Sequence, residues 1–340
     1  AASDVYKRQR KDTMTHALTL SRRQLFQAAA GLSLSTAAPV WAQTYPSRPV
    51  KLLSGASAGS ASDIIARAVA EKIQAELGQP VVVENRMGAS GTIAVQAMLA
   101  APADGHTVSV YTAAHTVVPL LSKVPYDPLK DIAAVIPLAV VPNVLVVAPS
   151  KGYKTVQDLV AAAKAKPGAL NYASVGAGTA TSMSAEKFRA ATGIDAVHVP
   201  FKGSPEAINE TLTGRIDFFF APLVSALPMI KAGRLQALAV ATQKRTAQLP
   251  DVPTLAEAGI AKADYLFWIG MLVPVKTPRD VVNKLNQATQ RALATPEVRE
   301  RLASQGAEAL PMSPEQFDAM IREEMVSNAA IIKAAGIKID

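Results

Sequence analysis

The chain has 340 residues, 49% of them hydrophobic, which suits one large or two medium α/β domains. Its net charge is +8, but residues 1–42 hold six Lys/Arg against two Asp/Glu, leaving 29 basic and 25 acidic residues beyond them; with no basic block and no basic–aromatic interleaving, nucleic acid is excluded as a partner. Cysteine is absent, which excludes disulfides, thiol catalysis, Cys-ligated metal and a Cys-linked lipid anchor.

Residues 1–13 precede the first methionine, Met14, and read as a translated scar with no structural element. Ser21-Arg22-Arg23, the apolar stretch 28–40 and Val40-Trp41-Ala42 predict a signal peptide over 14–42, twin-arginine-like and cleaved after Ala42. An ordinary secretory signal is the competing interpretation, and both routes end in the periplasm. After residue 45 no apolar run reaches the ~18 residues that span a bilayer, so no membrane insertion is expected.

The mature part alternates strand and helix. Residues 50–54 predict a strand. Ile64, Ile65, Ala68, Val69, Ile73 and Leu77 set a helical face over 63–77, stopped by Gly78-Gln79-Pro80. Val81-Val82-Val83, a helix over 91–101 and a strand over 107–111 complete a βαβαβ unit, which predicts a parallel, doubly wound sheet. The pattern then repeats with strands at 144–148, 170–174, 197–199, 216–220 and 235–241. The helices between them run from a capping box at Thr155–Asp158, over 182–192, and from Ser204-Pro205 to Gly214. A strand over 265–273 precedes a helical tail whose last member spans 314–335. The chain is expected to cross between lobes near 142–144 and to return near 263–266. This gives lobe I as 43–143 and 265–340, lobe II as 144–264, and a hinge between them that closes on a ligand.

Three loops lead from strand ends into helix N-termini, where unpaired N–H groups and the helix dipole favour an anion. In the first, Ser57, Ala58, Gly59, Ser60 and Ala61 are candidate ligand contacts, with Asp63 assigned to the helix start. The glycines do not fit G-x-G-x-x-G, so a dinucleotide site is excluded. In the second, Gly178, Thr179 and Ser182 are candidates, with Thr181 a further hydroxyl. The third supplies Phe201 as a wall, Lys202 and Gly203. Ser225 lies beyond the buried run Phe218-Phe219-Phe220 and is placed at the cleft. His106, His115 and His198 are the histidines after residue 42. None has metal-ligand spacing, so no metal and no cofactor is expected, and His115, in a Ser/Thr/Ala-rich loop after a strand, is the best pocket candidate of the three. No G-x-S-x-G elbow supports serine hydrolysis, and no catalytic residue is assigned.

Together the pieces resemble the extracytoplasmic solute-binding receptors of tripartite tricarboxylate transporters, the Bug family. The matching stretches are Tyr45–Val50, Gly59–Asp63 with Ala66-Arg67, Val83–Arg86 with Gly88–Thr92, Asp104–Thr107, Val199–Gly203, Gly214–Asp217 and Leu249–Leu255, in order across about 290 residues. The resemblance implies a two-lobed type II periplasmic binding fold, each lobe a mainly parallel doubly wound sheet flanked by helices. It implies a small organic carboxylate held by backbone amides, hydroxyls and bridging waters, delivery to membrane permease subunits, and a monomer that is not an enzyme. Where family members often have Gly-Gly, His and Tyr, this chain has Gly59-Ser60, Ser182 and Phe201; the lost Tyr hydroxyl favours a less polar or aromatic acid over a citrate-like one. The alternatives are a receptor that presents its ligand to a sensor kinase, and an exported enzyme that uses the Gly-rich loops as an anion site with His115 as its base.

Overall fold

The computed structural model describes residues 45–335; the scar and the signal peptide expected over 1–42 lie outside the described residues. Ten strands and ten α-helices are described. Strand β1 (Val50–Ser54) leads to helix α1 (Ala61–Leu77), followed by β2 (Val81–Asn85), α2 (Thr92–Leu99) and β3 (Thr107–Thr112). Helix α1 buries Ile65, Val69, Ile73 and Leu77, one residue every four, and ends where Gly78 takes a left-handed φ of 70° and donates its N–H to the Gln74 carbonyl. Strand β1 lies between β2 and β3 and is parallel to both, as the βαβαβ pattern requires.

Helix α3 (Ala114–Leu121) follows β3 directly, so His115 sits in a helix where the sequence suggested a loop. Next comes β4 (Ile132–Val147), sixteen residues long where the sequence predicted strand only over 144–148. Pro137 and Pro142 argue locally against a strand. The fold accommodates the stretch through register shifts between Ala134 and Ile136 and between Pro137 and Ala139.

The other half of the molecule comprises α4 (Val156–Ala165), β5 (Leu170–Ser174), α5 (Ala180–Thr192), β6 (Ala196–Pro200), α6 (Ser204–Leu212), β7 (Phe218–Pro222), α7 (Leu223–Lys231) and β8 (Gln236–Val240). Strand β5 is parallel to β6 and β7. The chain then returns through β9 (Leu266–Pro274) to α8 (Arg279–Ala294), α9 (Pro296–Ser304), β10 (Glu308–Ala309) and α10 (Pro314–Ala335). The strand order is β2-β1-β3-β9-β4-β7-β5-β6 in one continuous curled sheet.

Both lobes keep their parallel βαβ units, whereas the strands that join them are antiparallel. Strand β9 is antiparallel to β3 and to β4, and β4 is antiparallel to β7 and β8. At Pro142 strand β4 is still paired with Leu266 of β9; at Asn143 it is paired with Pro222 of β7. The direction changes because these strands run straight from one lobe into the other, with no crossover helix to turn them parallel.

One apolar cluster packs around β1, β3, β9 and α8, and two more cover the faces of the β7–β5–β6 half. Phe218 and Phe220 fall in one of these and Phe219 in the other, which is the period-two alternation of a strand buried on both faces. Helix α10 packs over β4 and α3. Phe317 meets the Trp268 ring edge-on at 4.9 Å, and the Glu324 carboxylate accepts from Trp268 Nε1 at 2.7 Å and from Thr116 Oγ1 at 3.2 Å.

Burial raises the Glu324 pKa above its ordinary value, against the lowering effect of the Trp268 and Thr116 hydrogen bonds. A raised carboxyl pKa contributes stability that is present below the unfolded value and lost as pH rises through the folded one. Glu324→Gln, which keeps an acceptor for Trp268, is therefore expected to melt above the unaltered protein at pH 8. The gap should close as pH falls toward 4, and thermal melting across that range measures it.

Candidate functional site

Three helix N-termini meet at the carboxyl ends of the strands, where α/β folds bind their ligands. Helix α1 begins at Ser60, whose backbone is extended (φ −78°, ψ 162°) and whose side chain does not cap its own helix. Helix α5 begins at Thr179 with the same two dihedrals, again without a side-chain cap. Among the described residues nothing accepts the N–H groups of Ala61, Ser62 and Asp63, or those of Ala180, Thr181 and Ser182. Two uncapped helix ends of matching geometry are thus left open, one from each lobe.

The loops are shaped so that these ends stay open. The Asp63 carboxylate accepts from Gly59 N–H at 2.9 Å, Arg67 Nε at 2.9 Å and Asn85 Nδ2 at 3.0 Å, so it braces the first loop from behind. Burial alone would raise its pKa, but these donors outweigh burial and hold the carboxyl below the usual range. In the second loop Thr179 Oγ1 donates to the Gly176 carbonyl at 2.6 Å, and Thr181 Oγ1 accepts from Val175 N–H at 2.9 Å. Ser174 Oγ accepts from Gly176 N–H at 2.9 Å and lies 2.6 Å from His198 Nε2. The hydroxyls of Thr179 and Thr181 therefore hold the turn in shape, and the backbone N–H groups are what it presents.

The cavity between these ends measures about 60 Å³. Ser60, Ala61 and Ser62 reach it from α1, Thr179, Ala180 and Thr181 from α5, and Ser204 from α6. Tyr111, Val175, Pro222 and Phe267 give it an apolar wall, and among the described residues neither Lys nor Arg lines it. A wider mouth of about 630 Å³ lies outside, lined by Gly88–Gly91, Val175–Ala177, Pro200, Phe201, Lys202 and Glu206.

Hydrogen bonds between the lobes close the cleft. Ser204 N–H donates to Ser60 Oγ at 3.0 Å, and Ser57 Oγ to the Glu206 carboxylate at 2.9 Å. Ser225 Oγ donates to the Gly59 carbonyl at 3.0 Å, and Ser90 Oγ to the Ala177 carbonyl at 2.8 Å. The Ser90 loop is held in an unusual backbone, with left-handed φ at Ala89 (45°) and Ser90 (54°) between Gly88 and Gly91. Tyr111 Oη donates to the Ser90 carbonyl at 2.9 Å and fixes it there.

Of the residues singled out from the sequence, Ser60, Ala61 and Thr179 line the cavity. Phe201 and Lys202 line the mouth. Ser57, Gly59 and Ser225 join the lobes. Gly203 passes so close to Ser57 that a Cβ there would lie 1.8 Å from the Ser57 Oγ. Gly178 packs on Val118, Ser182 Oγ donates to the Thr179 carbonyl, and Ala58 is exposed. His115 is 1% exposed, with its ring 6.1 Å from that of Tyr111, and it does not line the cavity. Burial lowers its pKa to about 4, so it is neutral at pH 7.

The cavity residues not singled out include Ser90, Tyr111, Thr112, Ser204 and Phe267. A signal existed for some of them. Tyr111 ends a predicted strand and Thr112 follows it, Gly88–Gly91 follows another, and Ser204 opens a helix. Phe267 had none, because only the return of β9 beside β3 brings it to the cavity.

The sequence profile of the tripartite tricarboxylate transporter family receptor (TctC) matches residues 65–337. BugT of Bordetella pertussis is 33% identical over 318 residues, covering 93% of this chain and 96% of BugT. A solved periplasmic transporter is 38% identical with a TM-score of 0.84, covering 87% of this chain and all of that one. An R. palustris protein solved with adipate is 32% identical with a TM-score of 0.84, over 86% of this chain and 99% of its own. MatC of Rhodopseudomonas palustris, solved with bound malate, is 30% identical with a TM-score of 0.81, over 85% of this chain and 100% of its own.

A depressed carboxyl pKa contributes stability present above the unfolded value and lost as pH falls through the folded one. Asp63→Asn is therefore expected to destabilise the protein by about 1–3 kcal/mol at pH 7. The difference should shrink below about pH 4 as the unaltered carboxylate is protonated. Denaturant unfolding of both proteins at several pH values checks this.

Proposed function

The chain belongs to the tripartite tricarboxylate transporter receptor family, and on that premise we propose that it is a periplasmic receptor that closes two lobes over a small organic carboxylate. It hands the acid to the membrane permease subunits of a tripartite transporter and catalyses nothing itself. The observation that carries this is the pair of uncapped helix N-termini, at Ser60 and Thr179, turned on one cavity that no Lys or Arg among the described residues lines. A carboxylate is the ligand that such N–H groups satisfy, since it accepts several hydrogen bonds and its charge complements the positive ends of two helix dipoles. The relatives solved with adipate and malate are in accord with it. Among the described residues no helix is long and apolar enough to cross a membrane.

Within the described residues the lobes run 45–143 with 265–335, and 144–264. Two features support these bounds: the change of β4 partners between Pro142 and Asn143, and the Tyr265 N–H donated to the Ala241 carbonyl where the chain returns. The acid's hydrocarbon part rests on Tyr111, Val175, Pro222 and Phe267. Phe201 stands at the mouth, so the hydroxyl it lacks relative to Tyr bears on entry more than on the bound carboxylate. The enzyme alternative takes His115 as its base, and His115, edge-on to Tyr111, does not line the cavity.

The test is thermal melting and titration calorimetry of the purified protein with mono-, di- and tricarboxylates and aromatic acids, with the acid recovered afterwards. A cognate acid at about 100-fold its Kd should add about 2.7 kcal/mol of stability and be recovered unchanged. No response to any acid, or conversion of one, would remove the proposal. Gly203→Ala, whose Cβ would lie 1.8 Å from Ser57 Oγ and 2.6 Å from Ser60 Oγ, is expected to block closure. It should weaken the best acid at least 10-fold, a loss of about 1.4 kcal/mol.

A further inference from the structure

Four successive residues, Gly88, Ala89, Ser90 and Gly91, carry φ of 122°, 45°, 54° and 93°. Glycine adopts such angles freely, but at Ala89 and Ser90 they are costly and persist only where neighbouring contacts fix them. Those contacts are close here. Gly91 N–H donates to the Gly88 carbonyl at 2.9 Å, and Thr92 Oγ1 to the Ala89 carbonyl at 2.9 Å. A Cβ on Gly91 would lie 2.5 Å from the Tyr111 ring, and one on Gly55 would lie 2.6 Å from Gly91 Cα. Tyr111 Oη donates to the Ser90 carbonyl at 2.9 Å.

The arm so formed reaches across the cleft. Ser90 Oγ donates to the Ala177 carbonyl at 2.8 Å, and a Cβ on Gly176 would lie 2.6 Å from that Oγ. Ser57, Ser60 and Ser225 join the lobes at the first loop, whereas Ser90 joins them at the second. Ser90 therefore has its carbonyl fixed from lobe I and its hydroxyl engaged by lobe II. Costly backbone of this kind gathers at ligand clamps and switches, where the surrounding contacts give it a task.

We propose that Tyr111 and Ser90 make a release latch, in which Tyr111 is a positioning residue. Its hydroxyl holds the Ser90 carbonyl so that the left-handed arm presents Ser90 Oγ–H to the Ala177 carbonyl, and that bond governs how fast the bound molecule leaves. The proposal rests on the reading that two lobes close over a carboxylate, and adds to it the groups that control release. The acid meets the open form, in which the arm has no partner in lobe II, so the latch opposes departure and not entry. Differences of this kind appear in the off-rate.

Isotope-labelled adipate, malate, citrate and benzoate are the probes, each bound to the whole protein and chased with unlabelled acid. For an acid that binds, Tyr111→Phe and Ser90→Ala are each expected to release it about 3- to 10-fold faster, the range for one neutral hydrogen bond, at an unchanged association rate. Tyr111→Phe keeps the ring against Gly91 and in the cavity wall. Because both changes break one latch, the double variant should release the acid no faster than Ser90→Ala alone. A Tyr111 hydroxyl that touched the acid, or merely stabilised lobe I, would instead speed release by the same factor in both backgrounds. Off-rates that multiply, or single variants that release at the unaltered rate, overturn the proposal. In unliganded protein, hydrogen exchange at the Gly91 N–H should rise in Tyr111→Phe and stay level in Ser90→Ala; no rise in Tyr111→Phe would also overturn it. If none of the four acids binds the unaltered protein, the carboxylate reading fails and the latch with it. If an acid binds and the off-rates break this pattern, the latch alone fails.

Discussion

A helix cannot satisfy the first N–H groups of its own backbone, and this protein arranges its loops so that two helices keep those groups open in its interior. Helices α1 and α5 both start from an extended residue whose side chain faces away from its own helix. The groups that would otherwise cap them are engaged elsewhere. Ser60 accepts from Ser204, Thr179 donates to the Gly176 carbonyl, and Asp63 ties Gly59 to Arg67 and Asn85. Even the strand junction takes part. Asn143, fully buried where β4 changes partners, donates to the Ala180 carbonyl and to Ser184 Oγ, fixing the start of α5 against the joint between the lobes.

Most of the bonds that shut the cleft are neutral, serine hydroxyls or an N–H meeting a carbonyl or another hydroxyl, and Ser57 to Glu206 is the exception with a charged acceptor. Each neutral bond contributes about 0.5–1.5 kcal/mol net, because the same groups bond to water when the cleft opens. Closure of this kind is easily reversed, as a receptor that must release its cargo requires. A ligand shifts the balance only by what it gains in the closed form over the open one. Here that gain comes from N–H groups that both lobes supply and that no atom among the described residues accepts.

The lobes share long strands in place of a flexible linker. Strand β4 runs sixteen residues through both halves, β9 returns alongside it, and α10 lies over the pair with Phe317 and Glu324 on Trp268. Gly270 is where that packing is tightest, since a Cβ there would meet the Phe317 ring at 2.6 Å. The joint between the lobes is therefore made of continuous strands near Pro142 and Asn143, where hydrogen bonding passes from β9 to β7.

By itself the sequence determined the alternation of strand and helix, the small-residue loops before α1, α5 and α6, and the family resemblance from Tyr45 to near the end. These follow from apolar period, cap chemistry and ordered motifs, all of which are local. The tertiary structure decided which members of those loops face the cavity. Thr179 and Ser182 look alike in a strand–helix turn, yet one lines the cavity and the other donates to its neighbour's carbonyl. His115 looked like a loop histidine and is buried in a helix behind Tyr111. Phe267 reaches the site only because β9 returns antiparallel beside β3, and β4 is one strand only because partners on both sides absorb its prolines. The reason is the same in each case. A side chain's role is set by the partners that folding brings to it, more than a hundred residues away for Ser60 and Ser204, and neither propensity nor period carries that information.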